Sequence, residues 1–450
     1  MKLNNRIEIP AAVQKILLQI LKNGYEAYVV GGCVRDSLLN RAPKDWDICT
    51  SASPEQVCSI FKNEKILPTG LQHGTVTLVR ENVPYEITTF RVDGNYSDGR
   101  HPDFVAFTNQ LEKDLFRRDF TINAMAASVD GKIIDYHGGI KDIQNGIIRC
   151  VGNPKDRFFE DSLRILRALR FSAKYGFSID ENTAMAMHEA RLLLKKISQE
   201  RITSEFRRIV EFAKKDLLLD FKDIISVIIP EMGKCIGFQQ KNTHHAYDVY
   251  EHIVTAVNFA PRKEVIRLAL FFHDIGKPNS YTEDKDGIGH FYGHAVVGAE
   301  MTEKIMKRMR FDNNTIKGVV QLVKNHDLVL NPTPTFARRI INRFGRETVL
   351  ELLEVMSADK RAQSDNSDRN QTLESIEYLK HLVNQFAKEA SIISVRSLAV
   401  NGNDVMAIGY PQGPEVGQIL NKLLNHVLEY PDENKRDILL ALVADWKGQL

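Results

Sequence analysis

"VVGGCVRDSLLNRAPKDWDIC", residues 29–49, sets two glycines, an arginine and two alternating aspartates in one short stretch. The apolar residues up to Val30 read as a buried strand, Gly31 and Gly32 as a turn, and "CVRDSLL" as the start of a helix. "WDICT" reads as the next strand. Successive strand side chains point to opposite faces, so Asp45 and Asp47 project from the same one, their α-carbons roughly 7 Å apart. Two such carboxylates can bridge divalent ions ~4 Å apart, which activate an attacking hydroxyl and stabilise a leaving oxygen in phosphoryl displacement. Glycines ahead of a helix let backbone N–H groups approach phosphate oxygens, with Arg35 one turn further on. The stretch alone is also compatible with a solvated edge strand, so the rest of the chain has to decide.

The chain has 450 residues, 43% of them hydrophobic and 26% charged, which is ordinary for a globular protein of two to four domains. A formal net charge of +2 supplies no global positive field, so any nucleic-acid contact must come from local patches. No apolar run reaches the roughly 18 residues that span a bilayer, and the N-terminal stretch lacks the core and cleavage site of a signal peptide. Cys33, Cys49, Cys58, Cys150 and Cys235 are scattered without a CxxC pair, which argues against a disulfide framework or zinc ribbon. A reducing cytoplasm is the expected location.

Downstream of the opening stretch, "GTVTLVR" and "YEITTF" alternate as strands do, and "RENVPY" between them predicts an antiparallel hairpin. Glu86, on the second of these strands, is a candidate third carboxylate. "RVDGNYSDGRHPDFV" carries no period and reads as a mobile loop. "FRRDFTINAM", residues 116–125, groups Arg117, Arg118, Asp119 and Asn123; arginine forks suit phosphate oxygens, and Asp and Asn suit ribose hydroxyls. "EDSLRILRALRF", residues 160–171, predicts one helix with Asp161, Arg164, Arg167 and Arg170 along a face, Leu163, Leu166 and Leu169 toward the core, and Glu160 bonded to Arg164 one turn on.

The pair Asp161 and Arg164 has a specific chemical meaning. A carboxylate only accepts hydrogen bonds and a guanidinium only donates them. Cytosine and adenine present an exocyclic amino donor beside a ring-nitrogen acceptor; guanine and uracil present the reverse. An Asp/Arg pair therefore suits C and A and leaves G and U with unpaired groups. The same two residues could equally form an exposed ion pair with each other.

Together, "VVGGCVRDSLLNRAPKDWDIC", "TGLQHGTVTLV", "YEITTFRVDGNYSDGRHPDFVAF", "FRRDFTINAMA" and "EDSLRILRALRFSAKYGF" resemble, in order, the motifs of bacterial class II tRNA nucleotidyltransferases, the CCA-adding enzymes. The resemblance implies an α+β fold: a polymerase-β-like nucleotidyltransferase head with a mixed sheet (1–150), then an all-α neck (151–235), an HD-type body (236–335) and a tail (336–450). It implies template-independent addition of C, C and A to tRNA from CTP and ATP, with Mg²⁺ on Asp45 and Asp47. Nucleotide-site roles fall to Gly31, Gly32, Arg35, Arg118, Asp119, Asn123, Glu160, Asp161 and Arg164, with Arg167 and Arg170 meeting phosphates. An A-adding-only enzyme is the near alternative. Bacterial poly(A) polymerases carry a basic "GRRF"-like stretch where this chain reads "TGLQHGTVTL".

The helical remainder holds a second constellation. "FFHDIGK", residues 271–277, "YDVYEHI" upstream and "NHD" at 325–327 resemble the HD-superfamily phosphohydrolases. By that resemblance His252, His273, Asp274 and Asp327 are ligands of a further divalent metal, with His294 and His326 as extras, and a metal phosphohydrolase acting on RNA ends is the alternative function. Arg338, Arg339 and Arg343 in "FARRIINRFG" form a candidate phosphate-contacting cluster for tRNA. No membrane partner is implied.

Overall fold

The structure is a computed structural model that describes residues 5–68, 70–71, 74–94, 104–241, 247–365, 367–386 and 394–448. The chain divides into two compact units, Met1–Gly233 and Lys234–Leu450.

The first unit is built on a mixed sheet of seven strands in the order β3-β4-β5-β2-β1-β8-β9. These strands are β1 (Ala27–Val30), β2 (Ile48–Thr50), β3 (Lys65–Leu67), β4 (Thr75–Arg80), β5 (Val83–Thr89), β8 (Met125–Ala127) and β9 (Ile133–Asp135). Only β2 and β5 run parallel; every other neighbouring pair is antiparallel. The β4–β5 hairpin turns through Glu81 and Asn82, both at positive φ (53° and 63°). That is the geometry of a two-residue turn whose twist matches its strands.

One face of the sheet packs on helices α1 (Ala11–Lys22) and α3 (Pro54–Ile60), while α2 (Gly32–Leu38) leads out of β1. The other face buries Val30, Cys49 and Phe90 against Leu111 and Leu115 of α4 (Leu111–Phe116). The stretch read as a loop without a period closes on itself: its ends form the antiparallel pair β6 (Arg91–Asp93) and β7 (Val105–Phe107). The middle of that stretch lies outside the described residues.

After α5 (Gly139–Asn145), the chain forms α6 (Pro154–Glu160), α7 (Leu163–Tyr175), α8 (Glu181–Ala190) and α9 (Gln199–Phe212). The single helix expected over 160–171 is thus two. Asp161 is extended at φ −143°, ψ 101°, and α7 starts after Ser162. Leu163, Leu166 and Leu169 are buried as the spacing predicts, and Gly176 ends α7 in the left-handed conformation at φ 71°. α7 packs along α9.

The second unit is helical apart from a small two-stranded hairpin (282–283 with 289–290). Its first part consists of α12 (Val249–Phe259), α13 (Glu264–Phe272), α15 (His294–Arg308), α16 (Asn313–Asn325), α17 (Pro334–Phe344), α18 (Arg346–Arg361) and α19 (Ser367–Phe386). The short helix α14 (Lys277–Ser280) also belongs to it, while α10 (Lys215–Asp220) and α11 (Lys222–Ile228) end the first unit. α18 falls in the segment read from sequence as the tail, yet it packs on α12, α13 and α16. The last part buries Val405, Leu423, Val427, Leu439 and Val443 in a core of its own. Among the described residues, no helix is long and apolar enough to cross a membrane.

Candidate active site and metal cluster

Asp45 and Asp47 lie in the extended segment leading into β2 rather than on the strand itself. The ladder still reaches them, because Val30 N–H donates to the Asp47 carbonyl at 3.0 Å. The β2–β5 register pairs Ile48 with Ile87, which places Asp47 beside Glu86. Burial pushes the Asp47 carboxyl up to about 6, reinforced by Asp45 and Glu86 and opposed by Arg118. Asp45 and Asp47, with Glu86 alongside, are the hard oxygen donors that a divalent cation takes, so the residues fit the expected metal.

Gly31 stands at φ 80°, where a β-carbon would meet Arg118 Nη1 at 3.0 Å. Glycine is required there on both counts. Arg118 and Arg117 share the buried Asp114, at 3.3 and 2.9 Å. Arg118 Nε is buried with no acceptor among the described residues.

The other "RRDFTINAM" residues form a hydrogen-bonded chain. Arg35 Nη1 donates to Asn123 Oδ1, and Asn123 Nδ2 donates to Asp119 Oδ1 at 3.0 Å. Asp119 Oδ2 accepts from Arg167 Nε and Nη2 at 2.8 and 2.6 Å. Burial alone would raise Asp119, but the Arg167 guanidinium and the Asn123 amide hold it at about 2. Arg35 is buried, bonded to Asp36 at 2.9 Å, with its guanidinium 5.2 and 5.0 Å from the Phe171 and Tyr175 ring centroids. The arginines expected at phosphates thus have partners within the protein. Arg35 and Arg167 tie the site together, and Arg170 pairs with Glu205 of α9.

Asp161 and Arg164 have separate supports. Asp161 Oδ2 accepts from Arg201 Nη2 at 2.9 Å, and its Oδ1 accepts from the Leu163 N–H at 3.1 Å. Arg164 Nη1 donates to Glu160 Oε2 at 2.6 Å, the expected contact one turn apart, and Nη2 donates to the Arg117 carbonyl at 3.3 Å. Sequence reasoning missed Arg201 and Glu205. Their spacing of one turn in "SQERITSEF" marks a helix face but not what it meets.

In the second unit, Asp274 stands between two pairs of histidines. Its Oδ2 lies 3.4 Å from His252 Nε2 and 3.3 Å from His273 Nε2; its Oδ1 lies 3.4 Å from His294 Nε2 and 3.7 Å from His326 Nε2. The two triads, His252/His273/Asp274 and Asp274/His294/His326, each have ligand atoms close enough to share an ion. His273, His294 and His326 point Nδ1 at backbone carbonyls three residues back (2.7, 2.9 and 2.7 Å), so Nε2 faces inward. The His294 and His326 Nε2 atoms are only 3.2 Å apart, which suits a cation between two lone pairs. Burial lowers His273, but Asp274 and Asp359 outweigh it and draw a proton onto the ring, pushed up to about 10.

The expected ligand Asp327 is exposed and lies outside both triads. It follows the end of α16, where His326 takes the inward position, and the second carboxylate is Asp359 of α18, 2.8 Å from His252 Nε2. Lys277 Nζ lies 2.7 Å from Asp274 Oδ2. A cleft of about 810 Å³ opens from this cluster toward Tyr292, Lys360 and Gln371. The arginine cluster of α17 is partly engaged within the unit. Arg338 lies over the Phe386 ring at 4.6 Å, and Arg339 is 3.5 Å from Glu429.

A glycine-opened helix, paired aspartates at a mixed sheet and a following helical bundle define a nucleotidyltransferase head joined to a helical body. Residues 27–149 match the family model described as the poly A polymerase head domain, 176–216 that of a probable RNA and SrmB-binding site of polymerase A, and 291–443 that of tRNA nucleotidyltransferase domain 2. The chain is 36% identical over 446 residues to a CCA-adding enzyme of Lactobacillus johnsonii, covering 99% of both chains. It is 33% identical to one of Enterococcus faecalis, covering 96% of this chain and 95% of that one. The crystal structure of the Bacillus stearothermophilus CCA-adding enzyme in complex with CTP aligns at TM-score 0.71 and 28% identity over 97% of each chain. The chain belongs to the family of CCA-adding enzymes.

Proposed function

We propose that this chain adds C, C and A to the 3′ end of tRNA, taking CTP and ATP and releasing pyrophosphate. The observation that carries this reading is the separate support of Asp161 by Arg201 and of Arg164 by Glu160. It holds the two side chains on partners other than each other. Asp45 and Asp47, with Glu86 beside them, would hold Mg²⁺, which when bound supplies charge stabilisation and activates the attacking 3′-hydroxyl. Arg118 would meet the phosphates, and the Arg35–Asn123–Asp119–Arg167 chain ties α2 to the reading helix α7. The head would occupy 1–150, the neck 151–235, the body 236–335 and the tail 336–450, with Arg343 and its neighbours on the tRNA.

The test uses two tRNA transcripts, one lacking CCA and one ending in CC, each incubated with CTP, ATP or both. Three nucleotides added to the first transcript with both triphosphates support full CCA addition. Extension of only the CC-ended transcript, with ATP, would identify an A-adding enzyme instead.

The paired triads favour a second reading for the other unit, a divalent metal centre that hydrolyses phosphate esters at RNA ends. His252, His273, Asp274 and Asp359 would serve one ion, and Asp274, His294 and His326 another. Bound metal detected in the purified protein and lost in Asp274→Asn, together with phosphate release that the same change abolishes, supports it; a metal-free active protein would end it.

A further inference from the structure

We propose that Arg201 is a specificity-determining positioning residue, which keeps the Asp161 carboxylate facing the incoming base by preventing it from pairing with Arg164. The inference rests on the reading of Asp161 and Arg164 as the groups that read the base. The two residues are three apart, Asp161 just before α7 and Arg164 inside its first turn. The Arg164 N–H donates to the Asp161 carbonyl at 3.0 Å, so the chain turns between them and their side chains start within reach of each other. A pair so formed would use the acceptor and the donor on one another and present little to a nucleotide.

The structure gives each a counter-charge of its own. Glu160 takes Arg164 at 2.6 Å, and Arg201 takes Asp161 Oδ2 at 2.9 Å. The Leu163 N–H holds the other oxygen at 3.1 Å, so the carboxylate is fixed at both atoms. Each oxygen has a second lone-pair site, which remains for an exocyclic amino group. Arg201 comes from α9, and on the same face one turn further Glu205 bonds Arg170 of α7. The helix is thus pinned once to α7 and once to the segment just before it.

Arg201 is poorly explained as a packing residue. Its Nη1 is buried with no acceptor among the described residues, which costs stability and is characteristic of a group retained for a site. It also lies within 176–216, the part of the chain matching a probable RNA-binding description, yet the fork is turned inward to Asp161.

The experiment measures the preference for CTP over UTP, as a ratio of kcat/KM, on a tRNA lacking CCA. It compares the full chain with Asp161→Ala, Arg201→Met and Arg201→Lys, and records tRNA affinity and Tm for each. A charge-assisted hydrogen bond is worth enough that Arg201→Met should lower the ratio about tenfold, with tRNA affinity and Tm close to the parent. Arg201→Lys, keeping charge without the fork, should fall between. If Asp161→Ala blunts selectivity but both Arg201 variants keep it, the positioning role is overturned and the base-reading assignment stands. If Asp161→Ala leaves selectivity intact, the base-reading assignment itself fails, and this inference with it. Loss of tRNA affinity at unchanged selectivity would make Arg201 an RNA contact and also overturn the proposal. Should Arg201→Met not fold, the drop in Arg201→Lys alone decides.

Discussion

Asp119 is the residue on which the head site converges, and its chemistry gives a pH signature. Its carboxyl sits at about 2 against an ordinary 3.8, so it stabilises the fold fully above the ordinary value. That stability is lost as pH falls from 3.8 toward 2, where the folded form takes up its proton. A shift of that size corresponds to about 2 kcal/mol. Asp119→Asn should therefore cost about that much in urea unfolding at pH 7, with the gap to the parent closing below pH ~4. Gly31→Ala tests a different constraint, because the alanine must hold a left-handed φ and push against Arg118. It should cost at least about 1 kcal/mol and slow nucleotide addition, seen as a lower Tm and a lower kcat. Asp47→Ala should abolish nucleotide addition while tRNA affinity, measured by filter binding, stays near the parent value.

At the scale of elements, the sequence exposes what depends on local chemistry and hides what depends on distant partners. The β4–β5 hairpin was legible because "RENVPY" carries turn residues between two alternating strands. The Glu160–Arg164 contact was legible because it needs only one helical turn. The break at Asp161 and Ser162 was not, since neither glycine nor proline marks it and the leucine spacing runs straight through. Asp359 was not legible either: it meets His252 across 107 positions, from a helix that reads as part of another segment. Arg201 and Glu205 were hidden for the same reason, 40 and 35 positions from their partners. The histidine cluster lies in between, because its histidines recur in a readable order while the choice of Asp359 over Asp327 required the packing of α18. Glu205→Gln should loosen the α7–α9 contact and lower Tm by a few degrees, with a smaller effect on selectivity than Arg201→Met; calorimetry and the CTP/UTP ratio measure the two separately.

At the scale of the whole molecule, the chain forms two compact units, and under the proposed function each should respond to a different additive. CTP with metal, at a hundred times its Kd, stabilises what binds it by about 2.7 kcal/mol. Calorimetry should show that increment on the transition of Met1–Gly233. With a divalent ion on the histidine cluster, as proposed, removal of metal by a chelator should instead lower the transition of Lys234–Leu450, where the four histidines and Asp274 lose a shared partner. Asp274→Asn should abolish that chelator response without moving the CTP response. A single transition that both additives shift alike would contradict this assignment.

The Arg35–Asn123–Asp119–Arg167 chain also constrains how such a protein can diverge. Each member satisfies the next in a fixed donor–acceptor order, from α2 through the turn before β8 to α7. A single substitution anywhere along it strands a buried polar atom on at least one neighbour. Neutral drift at these four positions is therefore closed to single steps, and descendants that change one should be found to have changed its partner as well. Covariation between positions 35 and 123, and between 119 and 167, would be the historical trace of that coupling.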